Sequence, residues 1–200
     1  TVGKPLENVE VKIAEDGEIL IKGKNVMLGY YKNPEMTNET IRNGYLHTGD
    51  IGIIDAEGFL KITDRKKEIF KTSGGKYIAP AALESEFKQS RFIEQIMVIG
   101  ESEKMPAALI QPNFEFIQKW AKRHDHTIIN VTTDQKLLKR IQKEIDFYNQ
   151  KFGKWEQIKK FEITSDEWTI EAGHLTPTMK MKRKVIQEKY KKLVEKIYNS

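Results

Sequence analysis

Four short polar stretches carry residue types that can handle an anionic, hydroxyl-rich ligand. In chain order they are Gly44-Tyr45-Leu46-His47-Thr48-Gly49-Asp50, Thr63-Asp64-Arg65-Lys66-Lys67-Glu68, Lys71-Thr72-Ser73-Gly74-Gly75-Lys76-Tyr77 and the run from Gly173 to Lys184. An ionised Asp50 is acceptor-only and suits two vicinal hydroxyls, while Gly49 lets backbone come close to a ligand. Arg65 offers a planar fork of donors for hydroxyls or phosphate. Lys71 and Lys76 flank Gly74-Gly75, a turn able to approach phosphates, although it matches neither the phosphate-loop pattern nor a dinucleotide fingerprint. Lys180 follows the Thr176-Pro177-Thr178 turn. Its ammonium can bridge a carboxylate and a phosphate and offset the charge that builds during attack at phosphorus. Taken singly, each stretch also reads as ordinary structure: a turn Asp before a strand at Ile51, a charged linker, a glycine hairpin and a basic helix start.

The elements that must position these residues follow from periodicity and turn chemistry. Val9 to Ile13 alternates, Asp16-Gly17 is a turn signal and Glu18 to Gly23 is the returning strand, which predicts a hairpin. Asn33 before Pro34 predicts a helix start. Ile51 to Ile54 and Gly58 to Ile62 predict a second hairpin around Asp55-Ala56-Glu57-Gly58. Beyond Asp64 the pattern changes to helices at Ala79 to Gln89 and Phe114 to His124, and strands at Ile93 to Gly100, Met105 to Gln111 and Lys160 to Ile163. Leu137, Ile141, Ile145, Tyr148 and Phe152 recur at helical spacing. Lys182 to Tyr198 reads as one closing helix with Ile186, Tyr190, Leu193 and Ile197 on its apolar face and Lys182, Arg183 and Lys184 on its surface. These apolar stripes read as core.

The chain has 200 residues, 38% hydrophobic and 32% charged, a folded composition. It has no cysteine, which excludes disulfides and thiolate metal sites. His47, His124, His126 and His174 show no metal-ligand spacing, so no zinc is expected, and no dedicated carboxylate cage for magnesium stands out. No apolar run approaches the length of a membrane span. The net charge of +5 is concentrated between Lys180 and Lys196. A solvated helix face accounts for such a cluster; an anionic ligand, nucleic acid or anionic membrane surface is the sharper alternative. The chain begins Thr1-Val2-Gly3-Lys4-Pro5, without an initiator Met, and reads as a piece of something larger.

The four motifs, in this order and spacing, resemble the acyl-adenylate-forming superfamily of acyl-CoA synthetases, peptide synthetase adenylation domains and luciferases. Their wording is most similar to bacterial long-chain fatty acid–CoA ligases, and the resemblance runs along essentially the whole chain. It implies an α+β architecture: residues 1–66 as the β-rich end of a large N-terminal adenylation domain, and residues 67–200 as a mobile C-terminal cap with a small sheet flanked by helices. It implies that Asp50, with Thr48 in the same motif, and Arg65 bind the ATP ribose. It makes Lys67 the hinge, Lys71 a lysine of the thioester step, Gly75 or the adjacent Gly74 the lining of a pantetheine tunnel, and Lys180 the catalytic lysine. Met179 stands where many relatives have Gly.

The reaction implied is formation of acyl-AMP from ATP and fatty acid, then acyl-CoA. Mg2+ arrives with ATP, and CoA is the second substrate. The partners implied are these small molecules and the missing N-terminal domain, with no nucleic acid. The expected location is the cytoplasm, with peripheral contact at the inner membrane surface as an option, and the fragment alone is expected to be inactive. An aryl-CoA or acyl-carrier-protein ligase is the neighbouring alternative. A basic nucleic-acid-binding module is the rival from another class; no basic aromatic sheet or helix-turn-helix pattern supports it.

Overall fold

A computed structural model describes residues 1–199, and the chain divides into two compact units, Thr1–Ile69 and Phe70–Ser200. In the first unit, β1 (Val9–Ile13) and β2 (Glu18–Gly23) form the expected hairpin, with Val9 opposite Gly23 and Ile13 opposite Ile19. Helix α1 (Pro34–Thr40) starts as read: the Asn33 side chain accepts the Met36 N–H at 3.0 Å and Pro34 occupies the first turn. Strands β3 (Ile41–Arg42), β4 (Tyr45–Ile54) and β5 (Leu60–Arg65) complete a five-stranded sheet. β4 is its axis. It pairs with β2, takes β3 at its beginning and β5 at its end, and the Asp55 carboxylate closes the β4–β5 turn by accepting the Phe59 N–H at 2.9 Å.

The second unit opens with the short pair β6 (Phe70–Lys71) and β7 (Tyr77–Ile78), followed by α2 (Pro80–Phe87). Strands β8 (Ile93–Ile99) and β9 (Ala107–Pro112) are antiparallel. Helices α3 (Phe114–Arg123) and α4 (Gln135–Asn149) are capped by Asn113 and Asp134, whose side chains accept the N–H groups of Phe116 and Leu137. β10 (Lys160–Ile163) then adds parallel to β9.

The central sheet is covered on both faces, which explains its unbroken apolar runs. Ile96 and Val98 point into a cluster with Leu83 and Phe87 of α2, Ile117 of α3 and Leu137, Ile141 and Ile145 of α4. Met97 and Ile99, on the opposite pleat, join Trp168, Leu175, Ile186, Tyr190 and Ile197. Phe152 packs against the first cluster but lies beyond the end of α4.

The predicted closing helix is two helices, α5 (Arg183–Lys189) and α6 (Lys191–Asn199). Tyr190 separates them, with φ −101° and ψ 23°. Its hydroxyl donates to Asp166 at 2.8 Å and its ring is buried, so a tertiary contact holds the break. The apolar face foreseen for one helix survives the break, because Ile186, Tyr190 and Ile197 are all buried. Among the described residues no helix is long and apolar enough to cross a membrane.

Candidate nucleotide and thioester site residues

In the first unit, Thr48-Gly49-Asp50 does not form a turn ahead of a strand at Ile51 but lies inside β4. It is a bulge. Glu18 faces Ile51 and Leu20 faces His47, so β2 advances two residues while β4 advances four. Gly49 turns the chain with φ +72°, a conformation open to glycine. The Thr48 hydroxyl donates to the Ile19 carbonyl at 2.7 Å and accepts the Asp50 N–H at 3.1 Å. Asp50 sits directly across the ladder from Arg65, and Arg65 Nε meets Asp50 Oδ1 at 2.8 Å. The two residues expected to hold a ribose are therefore neighbours, and one carboxylate oxygen remains for another donor. Thr48, Gly49, Arg65 and Lys67 line a cleft of about 730 Å³ together with Tyr30, Arg42 and His47. Asp50 is not part of that wall and meets it through Arg65.

Glu18 is a site residue that none of the four motifs contains. The residue is only 4% exposed. Oε1 accepts the Gly49 N–H at 2.9 Å, and Oε2 meets His47 Nδ1 at 3.0 Å and the Lys66 ammonium at 2.9 Å. Burial pushes this carboxyl up, but the His47, Lys66 and Gly49 hydrogen bonds outweigh it and hold it below the usual range. Lys66 also reaches Asp16 at 2.6 Å, and its N–H donates to the Gly49 carbonyl at 2.8 Å. The hydrogen bonds that its ammonium donates, to Asp16 first and then to Glu18, raise its pKa. Lys67, the next residue, is exposed and forms no ion pair among the described residues. A Glu in an alternating strand gives no local signal of this role; it emerges only when the bulge brings Gly49 over it.

In the second unit, Lys71 ends β6 and its ammonium stands 5.4 Å from the Tyr77 ring centre. The Thr72–Lys76 turn is closed by the Thr72 N–H to the Lys76 carbonyl and by the Gly75 N–H to the Thr72 carbonyl, both at 2.9 Å. Gly75 has φ +79°, whereas Gly74 has no positive φ, so the turn itself requires glycine at Gly75. A Cβ there would lie 3.7 Å from Lys71 Cε, which puts Lys71 and Gly75 side by side.

Lys180 stands on a third element. Leu175 bridges Met181 in antiparallel fashion, and the Thr176 N–H closes the loop on the Lys180 carbonyl at 2.8 Å. Thr176 Oγ1 accepts the Lys180 N–H at 3.1 Å. The Lys180 side chain is exposed and has no ion-pair partner among the described residues. Met179 adopts φ +61°, a conformation that glycine takes more readily than a residue with a Cβ. Behind the loop, Arg183 is not a surface residue as expected. It grips the buried Glu84 of α2 through both carboxylate oxygens at 2.6 and 2.7 Å and reaches the Val98 carbonyl at 3.3 Å. Lys189 pairs with Asp166, Lys196 with Glu162 at 2.8 Å and Lys191 with Glu195 at 3.9 Å, so much of the basic cluster is matched by carboxylates. No cluster of three His, Cys, Asp or Glu fit for a metal ion occurs among the described residues.

Comparison with known proteins defines the class. The family model described as AMP-binding enzyme C-terminal domain matches residues 67–200. The chain belongs to the family of AMP-binding enzyme C-terminal domains. It is 40% identical to the long-chain-fatty-acid–CoA ligase FadD15 of Mycobacterium tuberculosis, over all of this chain and 34% of that protein. It is 36% identical to the human long-chain-fatty-acid–CoA ligase 6, over 99% of this chain and 31% of that protein. Among solved structures it resembles the A domain of a carboxylic acid reductase from Segniliparus rugosus in complex with AMP and a co-purified carboxylic acid, at TM-score 0.75 and 26% identity over 98% of this chain and 32% of that one. The o-succinylbenzoate coenzyme A synthetase of Bacillus subtilis, in complex with AMP, matches at TM-score 0.65 and 25% identity, over 91% of this chain and 34% of that one. The chain spans about a third of the length of the curated relatives it matches.

Proposed function

We propose that this chain is the C-terminal part of an AMP-forming long-chain fatty acid–CoA ligase. The observation that carries the reading is 40% identity along the whole chain to a ligase of that name. The exposed apolar surface of the first unit supports a missing partner domain: Ile53 is 53% and Ile62 51% exposed, and Ile19 is the only buried hydrophobic among its described residues. Residues 1–66 are then the end of the adenylation domain and residues 67–200 the mobile cap.

The chemistry runs in two steps. A fatty-acid carboxylate oxygen attacks the α-phosphorus of ATP, an O–P bond forms and pyrophosphate leaves. The CoA thiol then attacks the acyl carbon, a C–S bond forms, AMP leaves and the thiol proton is released. Asp50 and Arg65 hold the ribose hydroxyls, and the unpaired ammonium of Lys180 offsets charge at phosphorus in the first step. Rotation at Lys67, the first residue past the Lys66 anchor, replaces Lys180 with the Gly75 turn and Lys71 for the second step. Mg2+ enters with ATP rather than on a cage of these residues. Such an enzyme works in the cytoplasm, where its greasy substrate favours peripheral contact with the inner membrane face.

The test is ATP–pyrophosphate exchange by the full-length protein against a panel of carboxylic acids. Exchange driven by long-chain acids supports the reading. Exchange driven only by aryl acids, or transfer only to a carrier protein, reassigns it to a neighbouring ligase; no exchange with any acid overturns it.

A further inference from the structure

We infer that Glu18 is a positioning residue that ties the Thr48-Gly49-Asp50 bulge to the chain entering Lys67. The inference deepens the ligase reading and rests on it for its kinetic consequences. Three observations carry it. The carboxylate is buried within a unit that buries little else. Its two oxygens do different jobs: Oε1 takes the Gly49 N–H, one residue before Asp50, and Oε2 takes Lys66, one residue before Lys67. The Lys66 N–H also returns to the Gly49 carbonyl, so the same two residues are joined twice, once through backbone and once through Glu18.

A bulge is a local departure from the ladder and keeps its shape only when its freed groups find partners. Gly49 is free to take many conformations, so Asp50 needs that fixed N–H if it is to face a ribose from one position. The hinge needs a firm anchor on one side so that rotation begins at Lys67 and does not spread back into β5. One carboxylate meets both needs. His47 Nδ1, at 3.0 Å from Oε2, completes the set, and Asp16 shares Lys66 at the surface.

The variants Glu18→Ala, Glu18→Gln and Lys66→Gln in the full-length protein separate these jobs. Amide hydrogen exchange is followed in peptides covering residues 47–50 and 64–69, beside the KM for ATP and kcat in pyrophosphate exchange. Glu18→Ala is expected to speed amide exchange in both peptides and to raise the KM for ATP on the order of tenfold, the size of one lost charge-assisted hydrogen bond, with a smaller change in kcat. Glu18→Gln keeps an oxygen for the Gly49 N–H. It should therefore speed exchange chiefly in residues 64–69, as Lys66→Gln does, and raise the KM less. Unchanged protection in both peptides overturns the tether. A fall in kcat with unchanged KM overturns the positioning role and leaves Glu18 a stabilising residue. Absence of exchange activity in the unaltered protein with every acid would defeat the ligase reading instead, and the amide-exchange arm would still decide the tether.

Discussion

Met179 holds a backbone conformation, φ +61°, that costs a residue with a Cβ about 1 kcal/mol or more. Met179→Gly should therefore change stability by less than about 1 kcal/mol, because relief of strain offsets the added freedom of the unfolded chain. Met179→Val should destabilise by about 1–3 kcal/mol, since β-branched residues tolerate this region worst. Urea unfolding of the two variants checks both. His174, at the base of the same loop, is 1% exposed. Burial depresses its pKa, the nearby Lys189 adds to that, and Asp166 opposes them. The folded state binds this proton less readily than the unfolded chain does. Stability from the neutral ring is thus complete above about pH 6.5, the ordinary value, and is lost as pH falls from there toward the depressed one. Unfolding midpoints at about pH 8 and pH 5.5 should differ in the parent and differ less in His174→Gln. Asp50, Arg65 and Lys180 stand out in the sequence because their motifs are local. Glu18 and Arg183 do not, because each pairs with residues distant in sequence.

At the scale of elements, the hairpins and the Asn-capped helices were readable from short-range chemistry. Turn residues, an Asn before a first turn and apolar spacing act within a few positions. What could not be read depended on packing. β4 runs through Thr48-Gly49-Asp50 because neighbouring strands absorb the bulge. The final helix breaks at Tyr190 because Asp166 and the second core cluster hold that side chain. Arg183 begins α5 while gripping Glu84 of α2, which fixes the chain that leaves the Lys180 loop. Removing one member of a buried ion pair strands the other, so Arg183→Met should cost about 3–5 kcal/mol of stability. The double variant Arg183→Met/Glu84→Gln removes the stranded charge yet keeps an oxygen for the Val98 N–H at 2.7 Å, so it should recover part of that loss. Equal unfolding free energies for the single and double variants would show that the pair does not anchor the loop.

At the scale of the molecule, the two units differ in how much core they own. Both large apolar clusters belong to residues 70–200, on opposite faces of one three-stranded sheet. Residues 70–200 expressed alone should unfold cooperatively in urea, whereas residues 1–69 alone should show no cooperative transition. Cooperative unfolding of the shorter piece would mean that its exposed Ile53 and Ile62 need no covering domain. The fold class was readable from the change of pattern after Asp64. The poverty of the first unit's core was not, because exposure on a sheet face is invisible in alternating sequence.

In the proposed mechanism one mobile cap presents Lys180 for adenylation and a different face for thioester formation. The most direct measurement compares the two half-reactions of the full-length protein with and without Lys180→Ala. Fatty-acid-dependent ATP–pyrophosphate exchange should fall by on the order of a hundredfold or more, the range seen when a preorganised charge-stabilising group is removed. CoA thioester formation from supplied acyl-AMP should stay within about threefold of the parent. Equal loss in both half-reactions, or undiminished exchange, would rule out this division of labour between Lys180 and the rest of the cap.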